Sequence, residues 1–149
     1  MLYTVGEMAK LLDVAPSTLR YYDKEGLLPF VERSQSGIRM FKDTDYEWLQ
    51  IINCLKKTGM SLKDIKDFIY LTMAGDETIN KRLELFKKQK AIIESQIAEL
   101  QDTLDTLDFK CWYYQTAKEA GTTSVLNNMS IDEIPAKFWD TIKKLRNVK

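Results

Sequence analysis

The chain has 149 residues, 44% hydrophobic and 30% charged, an ordinary balance for a soluble protein with room for one small domain plus an appendage. It has no histidine, and its two cysteines, Cys54 and Cys111, lie far apart; this speaks against most zinc sites, a disulfide framework, His-based triads and imidazole acid–base catalysis. Net charge is zero, and residues 1–75 hold ten Lys/Arg and ten Asp/Glu, so a nucleic-acid partner must be argued from where charges sit.

Thr4-Val5-Gly6-Glu7 is a capping box, which predicts a helix with Met8, Leu11 and Leu12 on its inner face. Glu7, Lys10 and Asp13 interrupt the N-terminal apolar residues, and no apolar run approaches the roughly 20 residues that span a bilayer. The expectation is a cytoplasmic protein with no membrane partner. After a break at Asp13 to Ala15, Pro16 suits the first position of a second helix, running to about Lys24 and stopping near Gly26. Two short helices with a tight turn outline a helix-turn-helix. On the second, Arg20 and Lys24 share a face, as do Ser17 and Tyr21. With Thr18 and Tyr22, this stretch mixes phosphate and base-edge donors with flat rings, as a recognition helix needs; a plain amphipathic helix with a solvated cationic edge is the alternative.

Leu28 to Arg33 and Ile38 to Phe41 flank a polar turn with Gly37, which predicts a β-hairpin wing carrying Arg33 and Arg39 toward a phosphate backbone. Asp43 or Thr44 should cap a third helix with Trp48, Ile51, Ile52 and Leu55 inward, ending at Gly59. Ser61 to Asp64 resembles another box, opening a fourth helix with Leu62, Ile65, Phe68 and Ile69 inward and an end at Gly75.

From Thr78 to about Ala120 there is no Pro or Gly. Leu83, Phe86, Lys90, Ile93, Ile97, Leu100, Leu104, Leu107, Cys111 and Tyr114 recur in steps of three and four, and nine of these ten are apolar, a coiled-coil pattern. Such a helix is about 64 Å long, and the rest of the chain is too short to bury its stripe. A second copy is the simplest partner; a helix folded back on its own domain is the alternative. Beyond the break at Gly121, Ser130 to Glu133 is a further capping box with Pro135 just inside, and Phe138, Trp139, Ile142 and Leu145 form the apolar face of a last short helix. That helix should dock on the coil or on the partner subunit. The expected units are residues 1–75, 76–120 and 121–149.

Thr18 to Pro29 (Thr-Leu-Arg-Tyr-Tyr-Asp-Lys-Glu-Gly-Leu-Leu-Pro) resembles the signature of MerR-type transcriptional regulators. Gly37 to Phe41 resembles their wing, with Met40 where tyrosine is usual, and Leu55 to Ile65 resembles the joint between their third and fourth helices. The likeness is dense over residues 2–70. It implies a mainly helical fold: a winged helix-turn-helix head, a long antiparallel coiled-coil dimerisation helix and a short C-terminal helix. It further implies a homodimer on a palindromic promoter operator that alters DNA geometry and lets RNA polymerase engage. By this resemblance Arg20, Tyr21 and Tyr22 contact the operator, Arg39 and Lys56 contact phosphate, and Thr4 at the start of the first helix offers backbone N–H groups to another. Leu83, Phe86, Ile93, Ile97, Leu100, Leu104, Leu107 and Cys111 are the dimer seam. With a two-fold axis near Glu99, Lys90 faces Asp108 of the partner subunit, and the two copies of Cys111 sit about 36 Å apart.

Metal-sensing members place cysteines at the start of the coil and after it. Residues 76–85 hold no cysteine and the tail beyond Ala120 has neither Cys nor His, so no metal and no cofactor is expected. Cys54 resembles in position the single cysteine of the aldehyde- and electrophile-responsive branch. It lies about 100–110° from the centre of the Trp48/Ile52/Leu55 stripe, at about 100° per residue, with Lys56 and Lys57 nearby; an inert half-buried residue is the alternative. Trp112, Tyr113, Tyr114, Phe138 and Trp139 are candidates for a small-molecule effector pocket, or simply glue for the last helix. No catalytic pair or Gly-rich phosphate loop points to an enzyme. A coiled-coil protein-interaction adaptor without DNA binding is the competing function.

Overall fold

A computed structural model of the chain describes residues 1–146. These divide into two compact units, Met1–Ala91 and the residues from Ile92 onward. In the first unit the order is β1 (Leu2–Tyr3), α1 (Val5–Leu11), α2 (Pro16–Lys24), β2 (Glu32–Arg33), β3 (Arg39–Lys42), α3 (Asp43–Lys57) and α4 (Leu62–Ala74), followed by the first turns of α5 (Ile79–Ala120).

The wing hairpin forms with Arg33 opposite Arg39 and Glu32 opposite Met40. A third strand joins it: β1 pairs antiparallel with β3 in the order β1-β3-β2. Two residues are too few to show the alternation that marks a strand. Thr4 caps α1 in a reciprocal box with Glu7. Pro16 opens α2. Gly26 and Gly59 end α2 and α3 in the same way, each with positive φ. Leu27 donates to the Tyr22 carbonyl at 2.9 Å, and Met60 to that of Leu55 at 3.2 Å. This reversal needs a left-handed residue, where a side chain is strained.

The head core is built on Phe41, Met8, Leu19, Leu27, Leu49, Ile52, Ile65 and Ile69, all fully buried. Two residues expected inward, Leu11 and Ile51, are exposed, while Trp48 packs on the core only partly buried. Leu11 is exposed and Ala9 is buried in its stead. Ile51 is exposed, because the inner face of α3 is centred on Asp45, Leu49, Ile52 and Leu55. Trp48 is half-buried on the flank of that face, stacked on Phe30 at 5.5 Å and tilted against Phe68 at 6.2 Å. The cap of α3 is also shifted: Lys42 is the N-cap, and the buried Asp45 carboxylate accepts its backbone N–H at 2.8 Å. Ser61 caps α4, accepting from the Asp64 N–H at 3.1 Å.

The first turns of α5 belong to the head. Phe86 meets Phe68 edge-on at 5.0 Å, Leu85 packs on the core, and the buried Gln89 amide donates to the Thr58 carbonyl at 2.9 Å. A periodicity reading cannot see this, because Leu85 and Gln89 lie off the seam.

In the second unit the rest of α5 carries α6 (Ser124–Asn127), two 3₁₀ turns and α7 (Trp139–Arg146). The Ser130–Glu133 box forms, but it closes a 3₁₀ turn at Ile131–Glu133 and not the last helix, which begins at Trp139. α7 docks on α5 of its own chain. Phe138 and Ile142 are buried against Phe109, and Lys144 pairs with Asp102 at 2.7 Å. Leu145 stays largely exposed. No helix among the described residues is long and apolar enough to cross a membrane.

Candidate nucleic-acid interface

α2 has two faces. Leu19 and Tyr22 are buried, whereas Ser17, Arg20, Tyr21 and Lys24 are exposed at spacings that put them on one side; Thr18 is half-buried at its edge. That outer face presents a hydroxyl, two cations and a phenol, a set that suits phosphates and base edges.

Tyr22 plays a different part from its neighbour. Its ring is 5% exposed, and its hydroxyl donates to Asn53 Oδ1 on α3 at 3.1 Å. Burial, then the nearby Tyr21, pushes its phenol above the usual range. Tyr22 therefore ties α2 to α3. Tyr22→Phe should lower the unfolding free energy by about 1 kcal/mol, the net worth of one hydrogen bond; chemical denaturation would measure it.

The wing is locked to α2 by Asp23, a residue that no motif singles out. Asp23 Oδ2 accepts from Arg33 Nη2 at 2.7 Å and from Arg39 Nε at 2.7 Å, and Arg39 Nη2 closes on the same oxygen. Arg33 also donates to the Gly37 carbonyl at 3.2 Å, bracing the turn. The Asp23 side chain is 17% exposed and that of Arg39 23%, against 52% for Arg33. One carboxylate thus orients both wing guanidiniums. The signal available in sequence was an acid inside a helix otherwise chosen for cations.

Thr4 is already engaged. Its backbone N–H donates to Glu7 Oε2 at 2.8 Å and its hydroxyl to the same oxygen at 2.9 Å. These bonds, the backbone one first, hold the Glu7 carboxyl below its usual range. A phosphate at this end of α1 must compete with that carboxylate. Lys56 is exposed on the last turn of α3.

Cys54 is exposed on α3. It borders a shallow depression with Leu12, Asp13, Gln50 and Lys57, next in sequence to the Asn53 that holds Tyr22. Along α5 the seam residues Leu83, Phe86, Leu104, Leu107 and Cys111 are exposed, Ile97 and Leu100 at 60% and 68%, while Ile93 is half-buried. Of the aromatic candidates, Trp112 and Tyr113 line a cavity. Phe138 is packed in the small core, Trp139 Nε1 donates to the Ile134 carbonyl at 2.9 Å, and Tyr114 points to solvent at 60% exposure. These three do not line it.

Residues 3–71 match the family described as MerR HTH family regulatory protein, and residues 46–108 match MerR, DNA binding. An uncharacterized HTH-type transcriptional regulator of Haemophilus influenzae is 48% identical over 133 residues, 89% of this chain and 98% of the relative. A crystal structure of HiNmlR, described as a MerR family regulator lacking the sensor domain and bound to promoter DNA, is 49% identical. It superposes with a TM-score of 0.70 over 84% of this chain and 99% of that one. A MerR family regulator from Bacillus thuringiensis is 41% identical, with a TM-score of 0.66 over 74% and 97% of the two chains. With an exposed cationic face on α2, a wing braced against it and relatives of this similarity along most of its length, the chain belongs to the MerR family of DNA-binding transcriptional regulators.

Proposed function

We propose that the protein binds a two-fold symmetric promoter site as a homodimer, sets α2 of each copy in the major groove and a wing on the flanking backbone, and changes the DNA geometry presented to RNA polymerase. The observation that carries this is the coexistence of the Ser17/Arg20/Tyr21/Lys24 face with an uncovered apolar row on α5. Two such rows cover one another when the helices pair antiparallel, with Ile97 and Leu100 at the centre. In this reading Arg20 and Tyr21 reach base edges, Ser17, Thr18, Lys24, Arg33, Arg39 and Lys56 position the phosphates, and Tyr22 holds α2 in place. The test is gel shift of the promoter upstream of the protein's own gene at two salt concentrations. Specific binding that falls steeply with salt supports the reading; no binding even at low salt leaves the protein-interaction adaptor.

A reading of the signal follows from Cys54. Its thiol is open to an electrophile, and it sits beside the Asn53–Tyr22 contact that positions α2. Alkylation or oxidation there changes the operator complex through α3. Cys54→Ser should abolish the response to aldehyde or diamide in a promoter-reporter assay while leaving promoter affinity within about twofold, because an exposed Cys-to-Ser change costs little. A full response in the variant sinks the sensor.

A further inference from the structure

We propose that the cavity between the end of α5 and α7 binds a small, flat, apolar anion. The site stands on the second unit alone and does not rest on DNA binding.

The cavity measures about 260 Å³. Trp112 and Tyr113 form its aromatic wall, Leu126 and Ile142 close the apolar sides, and Lys110 and Arg146 stand at its lining, with no carboxylate lining it among the described residues. Lys110 Nζ lies 5.1 Å from the centre of the Tyr113 ring, so the cation is carried on the aromatic wall itself. Docking of α7 does not use up this space. Phe138 is buried against Phe109 at 5.7 Å and against Trp112 at 5.7 Å, and Trp139 is held by the Ile134 carbonyl. Phe138 and Trp139 thus help to seat the helix without lining the cavity, while Ile142 does both, and Trp112 and Tyr113 still contribute to the cavity wall.

The chemistry of the lining selects the occupant. Flat rings favour a planar aromatic body, two cations favour one negative group at its edge, and the volume, below the roughly 300–1,000 Å³ of drug-sized sites, limits it to about two rings. A cationic drug is disfavoured because the described lining residues carry two cations and offer it no counter-charge. A second copy of the chain filling the cavity through an apolar side chain is the competing occupant, and the test separates the two.

The probes are 5-(dimethylamino)naphthalene-1-sulfonate, a two-ring anion, and the corresponding primary sulfonamide, its neutral counterpart, titrated by fluorescence into the full chain. Saturable binding of one sulfonate probe per chain, with blue-shifted emission, is expected. Replacing both cations (Lys110→Ala with Arg146→Ala) should weaken the sulfonate at least tenfold and leave the neutral probe within twofold. Both side chains are exposed, so an unchanged thermal melt is expected and separates lost affinity from lost fold. Leu126→Trp, which fills the cavity, should remove both probes. The proposal is overturned if the native chain shows no saturable binding, if the double variant binds the sulfonate as the native chain does or loses both probes equally, or if Leu126→Trp binds normally.

Discussion

Replacing Ile97 and Leu100 together by lysine is expected to leave the protein monomeric and to cut promoter affinity by about a hundredfold or more. These are the most exposed apolar residues in the middle of α5, at 60% and 68%. Lysine is nearly as good a helix former as leucine, so the helix should persist, and circular dichroism would show it. The seam would not. In a dimer two copies of each side chain are buried, four in all, and at about 1.5–3 kcal/mol each the change removes on the order of 6–12 kcal/mol of apolar burial. Four lysines would also be set against one another at the centre. Loss of the second head then turns bivalent binding into monovalent binding, worth about 10²–10⁴ in affinity. Sedimentation equilibrium and promoter anisotropy measure the two steps. A variant that stays dimeric would show that the exposed row is not the interface.

Asp23→Asn should weaken promoter binding by about tenfold although it removes a negative charge from the side proposed to face DNA. Simple electrostatics demands the opposite: one less acid among phosphates should tighten binding. The structure predicts a loss because Asp23 is the shared acceptor for Arg33 and Arg39 and fixes where both guanidiniums point. Hydrogen bonds to charged groups are worth about 1.5–3 kcal/mol each, and an amide keeps one acceptor oxygen but not its charge. The wing then loses its orientation on α2, and a mobile arginine pays entropy to reach its phosphate. Anisotropy titrations over a range of salt, with Arg33→Ala and Arg39→Ala alongside, give affinity and salt slope. Asp23 acts through the arginines, so in an Arg33→Ala, Arg39→Ala background its replacement should no longer lower affinity. Tighter binding by Asp23→Asn in the native background would show that the pair only neutralises the wing.

Helix starts were legible in the sequence where a side chain caps the backbone, as at Thr4 and Ser61, or where a proline has no N–H to satisfy, as at Pro16. At Lys42 the side chain does not announce the cap. There Asp45 reaches back from inside the helix and is itself buried, and the cap went to the wrong residue. Likewise the outer face of α2 follows from spacing alone, but the split between Tyr21 outside and Tyr22 inside is set by what α3 places beneath the helix. The cavity shows the same limit. Five aromatic residues were indistinguishable by composition, and only the docking of α7 put Trp112 and Tyr113 in its wall, Phe138 in the core and Tyr114 in solvent.

What the chain's order of residues determined by itself was local and periodic: two short helices and a wing, a coil without Pro or Gly, and the family motif that joins them. These depend on contacts within a few residues, where spacing stands in for geometry. Tertiary structure alone decided the pairing of Asp23 with two arginines ten and sixteen residues away, the grip of Gln89 on Thr58 and the seat of α7 on α5. Each joins groups that only folding brings within reach, and no repeat in the sequence marks a contact made once.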